Sequence, residues 1–206
     1  MANGKVITGY SFPRVALYNN TQGVVSYSGG MALARGVDVN IEPSTGDVEN
    51  FYADNRLAES AGGVFTGGTV TLTVDGLKEA ARTLIMGLPE PEQITVGEGQ
   101  QQQQVDVYNY GDNQAIPYVG IGFVVRMMEE NVTTYRPFVL TKCIFNQEGL
   151  EAETQEENIS FQTSELEAQV MRDDSANHNW KKVGADQATE EAAVAVVNAI
   201  LGITGA

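Results

Sequence analysis

The sequence has little with which to do chemistry. Its 206 residues include one cysteine, one histidine and one tryptophan. A lone Cys143 excludes a disulfide within the chain and any cysteine cage for a metal, and it fits a reducing compartment. It follows an alternating apolar segment and precedes Ile144 and Phe145, so it reads as a buried structural thiol. His178 sits in "DDSANHNW", a polar, turn-like stretch, and reads as a surface residue. Nucleophile–base catalysis needs neighbours with matched pKa values, yet the chain has no G-x-S-x-G, no phosphate-binding G-x-x-x-x-G-K-[ST] and no G-x-G-x-x-G. Nothing clusters His and Cys as zinc requires. No cofactor is expected.

Cations are scarce too. Lys and Arg total 12 against 27 Asp and Glu, a net charge of −15. Such a chain does not grip a phosphate backbone, because nucleic-acid affinity rests on cation–phosphate contacts. Long apolar runs are missing. "MANGKVITGY" lacks the apolar centre of a signal peptide. "AAVAVVNAILGI" (192–203) falls short of the roughly 20 apolar residues a bilayer span needs, and Asn198 interrupts it. No membrane association is expected, and a cytoplasmic site of synthesis is. Carboxylates are abundant in "EGLEAETQEEN", with Glu148, Glu151, Glu153, Glu156 and Glu157. A glycosidase pair would want aromatic platforms beside it, and a calcium loop wants alternating Asp and Asn oxygens about a glycine. A solvated acidic stretch is the simpler reading. The residues point away from an enzyme.

What is there is period-2 alternation. In "GVDVNIE" (36–42), Val37, Val39 and Ile41 are set against Asp38, Asn40 and Glu42. In "TVTLTV" (69–74), Val70, Leu72 and Val74 are set against Thr69, Thr71 and Thr73. Each predicts a strand with one apolar and one wet face. Further strands are predicted at 5–10, 13–18, 23–27, 105–110, 116–127, 133–142, 143–146 and 158–170. Pro117 and Pro137 are expected near strand starts, where a missing N–H does least harm. The 22 glycines agree with a turn-rich β protein.

Two helices interrupt the strands. "DGLKEAARTLIMG" (75–87) has Asp75 as a plausible N-cap, Gly87 as its stop and Leu77, Ala81, Leu84 and Ile85 as its stripe. A second helix, about 189–201, is capped by Thr189, with Glu190 and Glu191 at the positive end of its dipole. Val194, Val197, Ile200 and Leu201 form its apolar side. Strands outnumber helices without a βαβ rhythm. The fold class is therefore mainly β (α+β), an antiparallel β-sandwich or partly open barrel with one or two flanking α-helices. Residues 1–171 form the main domain, and 172–206 form a C-terminal extension. "GEGQQQQQ" (97–104) is low in complexity and reads as a loop.

About twenty residues separate the strands at 36–42 and 64–74, long for a hairpin loop. "VENFYA" and "RLAESA" flank a turn at Asp54-Asn55, so 43–63 is expected to be a protruding β-hairpin arm. A lone two-stranded ribbon is marginal in water. Phe51, Tyr52 and Leu57 would gain from packing on another molecule, or else fold back onto their own core.

The order of "GVDVNIEPSTGDVENFYADN" (36–55), "GGVFTGGTVTLTV" (62–74), the helix at 75–87, "IPYVGIGFVV" (116–125), "RPFVLTKCIF" (136–145) and "ETQEENISFQTSELEAQVM" (153–171) resembles the major tail proteins, or tail tube proteins, of long-tailed bacteriophages of Gram-positive hosts. The resemblance spans about residues 5–171. It implies a β-sandwich with a flanking helix, subunits that close hexameric rings by pairing sheet edges, and rings stacked into a hollow tube in the virion tail. It also implies partners: other copies of the chain, a tape measure protein, a tail terminator and distal tail or baseplate proteins. Genomic DNA would pass without specific binding. The arm residues Phe51, Tyr52, Asp54, Asn55 and Leu57 would then lie between subunits or rings. Asp38, Asn40, Glu42, Thr69, Thr71 and Thr73 are candidates to face the bore. Two other classes stay open: a β-sandwich module binding cell-wall glycan, with Tyr52 or Trp180 as a sugar platform, and a carboxylate-dependent hydrolase.

Overall fold

A computed structural model of the chain describes residues 4–150, 152, 154 and 162–204. The carboxylates Glu151, Glu153, Glu156 and Glu157 and the expected strand start at 158–161 lie outside the described residues. The elements in chain order are β1 (Val6–Thr21), β2 (Val24–Ala32), β3 (Gly36–Thr45), β4 (Glu49–Ala53), β5 (Arg56–Ala61), β6 (Phe65–Val74), α1 (Glu79–Met86), β7 (Glu92–Val96), β8 (Gln103–Val107), β9 (Val119–Glu129), β10 (Val132–Phe145), β11 (Ser164–Met171), β12 (Lys181–Val183) and α2 (Glu190–Ile200).

Eight strands form one antiparallel sheet in the order β2-β1-β9-β10-β11-β6-β3, with β12 added beside β10. β10 belongs to both halves. Val132–Leu140 and Cys143 pair with β9, Phe138–Leu140 with β12, and Lys142–Phe145 with β11. The register against β9 shifts between Leu140 and Cys143, and there the sheet folds over. Val119, Ile121, Phe123, Val125 and Met127 of β9 then share one core with Val70, Leu72 and Val74 of β6 and Leu166, Ala168 and Val170 of β11. Full burial of each such Val, Leu, Ile or Phe is worth roughly 1.5–3 kcal/mol. Phe123 meets the Tyr10 ring edge-on at 5.5 Å and stacks on Phe138 at 5.6 Å. At the start of β3 the sheet comes close to closing on itself: a Cβ on Gly36 would lie 2.2 Å from the Tyr10 ring. Alternating strands over an apolar core thus make the mainly β sandwich with flanking helices that the patterning predicts.

Several local expectations are corrected. The strands expected at 5–10 and 13–18 are one strand, β1, whose register against β9 shifts around Phe12, at φ 54°. β10 likewise joins 133–142 to 143–146. Pro137 sits well inside β10, not at its start. Its neighbour at the same pleat, Tyr135, exchanges both backbone hydrogen bonds with Gln187, and the Pro137 carbonyl accepts from Gly184 N–H. The missing N–H falls in the gap between Gln187 and the β12 ladder. Asp75 does not cap α1. Lys78 occupies the N-cap with no side-chain bond, and Asp75 accepts from the Arg35 backbone N–H and pairs with its guanidinium, tying the end of β6 to the start of β3. α1 is correspondingly shorter and buries Ala81, Ile85 and Met86, while Leu77 precedes it. Gly87 does end the helix in the left-handed region.

Thr189 caps α2, its Oγ1 accepting from Ala192 N–H. Ala193, Val197 and Leu201 lie buried with Ala16, Val124 and Val139 on the outer face of the β1-β9-β10 half. Val194 and Ile200 are partly buried at the margin. α2 therefore packs on its own sheet. β9 admits it through glycine: a Cβ on Gly122 would lie 2.4 Å from Val197, and one on Gly120 2.8 Å from Leu201.

Candidate functional site

Among the described residues no helix covers the outer face of the β3-β6-β11 half. Register places three rows across it: Asp38–Thr73–Glu165, Asn40–Thr71–Glu167 and Glu42–Thr69–Gln169. The six candidates Asp38, Asn40, Glu42, Thr69, Thr71 and Thr73 thus come together on one surface. The β3 and β11 members are exposed and the threonines between them half-buried. Asn40 donates to Glu42 at 2.9 Å and Asn146 to Glu167 at 2.9 Å. β3, β6 and β11 carry no Lys or Arg. Such strands give the face negative charge and no cation of their own, Arg35 and Arg172 lying just beyond its ends, and a face of that sign repels a polyanion.

Glu165, Glu167 and Gln169 were not singled out from sequence. Their alternation with Leu166, Ala168 and Val170 was readable there, but not that β11 would lie beside β6. Val37 departs from its expected place. A register shift between Gly36 and Asp38 leaves it 53% exposed, while Val39 and Ile41 turn to the core. Beneath the Asp38 end, the Tyr10 hydroxyl is raised well above its ordinary pKa, first by burial and then by the Asp38 charge.

The arm is a separate two-stranded ribbon, β4 with β5. Asp54 and Asn55 both have positive φ, 51° and 59°, as a tight hairpin turn of the primed type requires. Tyr52 lies opposite Leu57 and Phe51 opposite Glu59, with a register shift between them. Phe51, Tyr52 and Leu57 are 64%, 63% and 55% exposed, so the arm does not fold back on the core.

A second ribbon, β7 with β8, flanks the expected loop, which spans 97–102 because Gln103 and Gln104 join β8, and the strand expected at 105–110 runs over Gln103–Val107. Gly99–Gln101 form a 3-10 turn at its tip. Ile94 pairs with Val105, Val96 with Gln103 and Glu92 with Val107, so Ile94, Val96, Val105 and Val107 share one face. The other face is polar, with Gln93 bonded to Asp106 and Gln104 to Thr95. The alternation of Ile94 and Val96 was the available signal, and the glutamine run hid it.

Elsewhere Cys143 is buried, which pushes its thiol up. His178 is exposed, its Nδ1 3.2 Å from the Asp173 carbonyl oxygen. Trp180 is stacked on Phe65 at 4.3 Å, with Lys181 over its ring at 4.5 Å. Among the described residues no group of three or more His, Cys, Asp or Glu side chains is placed to hold a metal, and no helix is long and apolar enough to cross a membrane. The C-terminal segment is bound to the rest by Asp186, which takes Arg136 and Lys5, each at 2.5 Å. The Arg136 hydrogen bond, then that of Lys5, holds its carboxyl down at about 2. Compared with known proteins, the chain matches no family model, and no curated protein is similar to it in sequence.

Proposed function

We propose that the chain is a structural subunit that assembles with copies of itself into a hollow tube of the phage tail tube kind, and that it performs no catalysis. The observation that carries this reading is one sheet face whose strands are acidic, free of cations and uncovered among the described residues, on a molecule whose aromatic arm stands wholly outside its core. In the tube, subunits join in hexameric rings. The outer edges of β2 and β3, unpaired among the described residues, find backbone partners on neighbouring copies, which removes the hazard of an open sheet edge. Asp38, Glu42, Glu165 and Glu167 line the bore with the threonine rows between them, and α2 lies outside. A wall of the same sign as DNA keeps phosphates from adhering, so a genome slides through. The tape measure protein, tail terminator and distal tail or baseplate proteins are the further partners of such a tube, and the virion tail is its location. A glycan-binding module would use Trp180 or Tyr52 as its platform, and the stacking of Trp180 on Phe65 favours the tube. Electron microscopy of the concentrated protein, alone and with a distal tail complex to nucleate it, tests the proposal. Rings or tubes of uniform width support it. A monomer under both conditions overturns it.

A further inference from the structure

A tube subunit whose arm projects needs a surface to receive that arm, and the second hairpin has the properties of one. We infer that the apolar face of β7–β8 receives the β4–β5 arm of the next copy in a head-to-tail stack, an inference that rests on the tube reading. The first argument is placement. The arm leaves from the end of the sheet where Thr45 lies opposite Phe65. α1, which leads into β7, starts from the other end, where Val74 lies opposite Gly36 and Ser164. On the far side of the hairpin, Tyr110 donates to Glu148, just past the end of β10 and beside Arg82 of α1. Its two flanks are therefore anchored together at the Val74 end. At the usual strand rise, the length of β6 sets the roots of the two hairpins roughly 30 Å apart.

The second argument is what each ribbon leaves uncovered. Ile94, Val96 and Val105 are 41%, 44% and 37% exposed on one face, and the arm offers Tyr52 with Leu57 opposite it, 63% and 55% exposed. Each ribbon is marginal alone, and laying the Tyr52–Leu57 face on the Ile94–Val105 face removes both from water. Third, the arm's turn carries one cation, Arg56, beside Leu57, and it makes no ion pair within the described residues. Between Arg82 and Arg126 the chain has no Lys or Arg but has Glu90, Glu92, Glu98, Asp106 and Asp112. Both hairpins are otherwise acidic, so apolar burial supplies the strength of the contact and Arg56 its orientation. Finally, an arm that packed on another arm would close a two-fold dimer. Contact between two different surfaces at opposite ends propagates.

Cysteine pairing tests this. Leu57→Cys and Val105→Cys are combined in one chain; the native Cys143 is buried and stays silent. Mild oxidation of assembled tubes should give a ladder of disulfide-linked multimers, absent from either single variant. Tubes without a ladder overturn the inference and leave the tube reading standing. Failure of the unaltered chain to assemble, even with the nucleating complex, overturns both. A second variant, Ile94→Ser with Val105→Ser, should keep the melting temperature of the monomer, still form rings and lose most stacking. Tubes of normal length from that variant also overturn the inference.

Discussion

The two outer faces of the folded sheet differ in what lies on them. Over β1, β9 and β10 the outward residues are small or apolar, Ala16, Gly120, Gly122, Val124 and Val139, and α2 covers them. Over β3, β6 and β11 they are Asp, Asn, Thr, Glu and Gln, and among the described residues no helix covers them. Alternation tells which side of a strand faces the core. The identity of the residues on the other side tells whether a second layer follows. In β9 the outward positions Gly120, Gly122 and Val124 are as buried as the inward ones because two glycines let the helix approach within van der Waals contact. In β6 threonine fills the same role on an open face, where its branched side chain suits a strand and its hydroxyl suits water.

The comparison can be broken at four points. The largest effect on the fold is expected from Gly122→Val, since its first side-chain atom would lie 2.4 Å from Val197. Overpacking of this kind costs roughly 2–3 kcal/mol, measurable by urea unfolding, whereas Thr71→Val on the open face should change stability by no more than about 0.5 kcal/mol. Equal effects at the two sites would erase the distinction between the faces.

Next is the clamp on the α2 segment. Asp186 titrates at about 2 in the folded protein against 3.8 as its ordinary value. Its ionised form is favoured by folding, so its contribution is complete above about pH 4 and lost as pH falls toward 2. Asp186→Asn should lower stability at pH 7 and flatten the loss of stability between pH 4 and 2. An unchanged pH profile would show that the paired cations do not act through this carboxyl.

Phe51→Ala with Tyr52→Ala should leave monomer stability within about 0.5 kcal/mol, because both rings are already in solvent, while assembly into tubes is lost. Unfolding of the double variant would make the pair part of the core. The smallest effect on the fold is expected from Asp38→Lys with Glu42→Lys. In the proposed tube, assembly should persist and genome ejection should slow as the bore gains cations; an unchanged ejection rate would count against those side chains lining a bore.

Much of this was legible from residue order. The strands at 69–74 and 116–127, the αL stop at Gly87, the Thr189 cap and the Asp54-Asn55 turn all follow from local backbone and side-chain preferences, which act over a few residues. What failed was set by distant partners. Asp75 has a capping residue's chemistry, but Arg35, forty positions earlier, takes its carboxylate. Val37 has a core residue's chemistry, but a shift in pairing with β6 turns it out. Pro137 stands mid-strand because its neighbouring segment, 184–187, leaves a gap there.

By itself the sequence determined that this is a β protein of strong negative charge, with alternating strands, two helices and a hairpin about Asp54-Asn55, because alternation, caps, turns and charge are properties of neighbouring residues. Only the tertiary structure decided that Asp38, Glu42, Glu165 and Glu167 share one uncovered face, that α2 occupies the other, and that two exposed ribbons stand at opposite ends of β6. These are matters of strand order and register, and register is fixed by contacts between residues far apart in the chain.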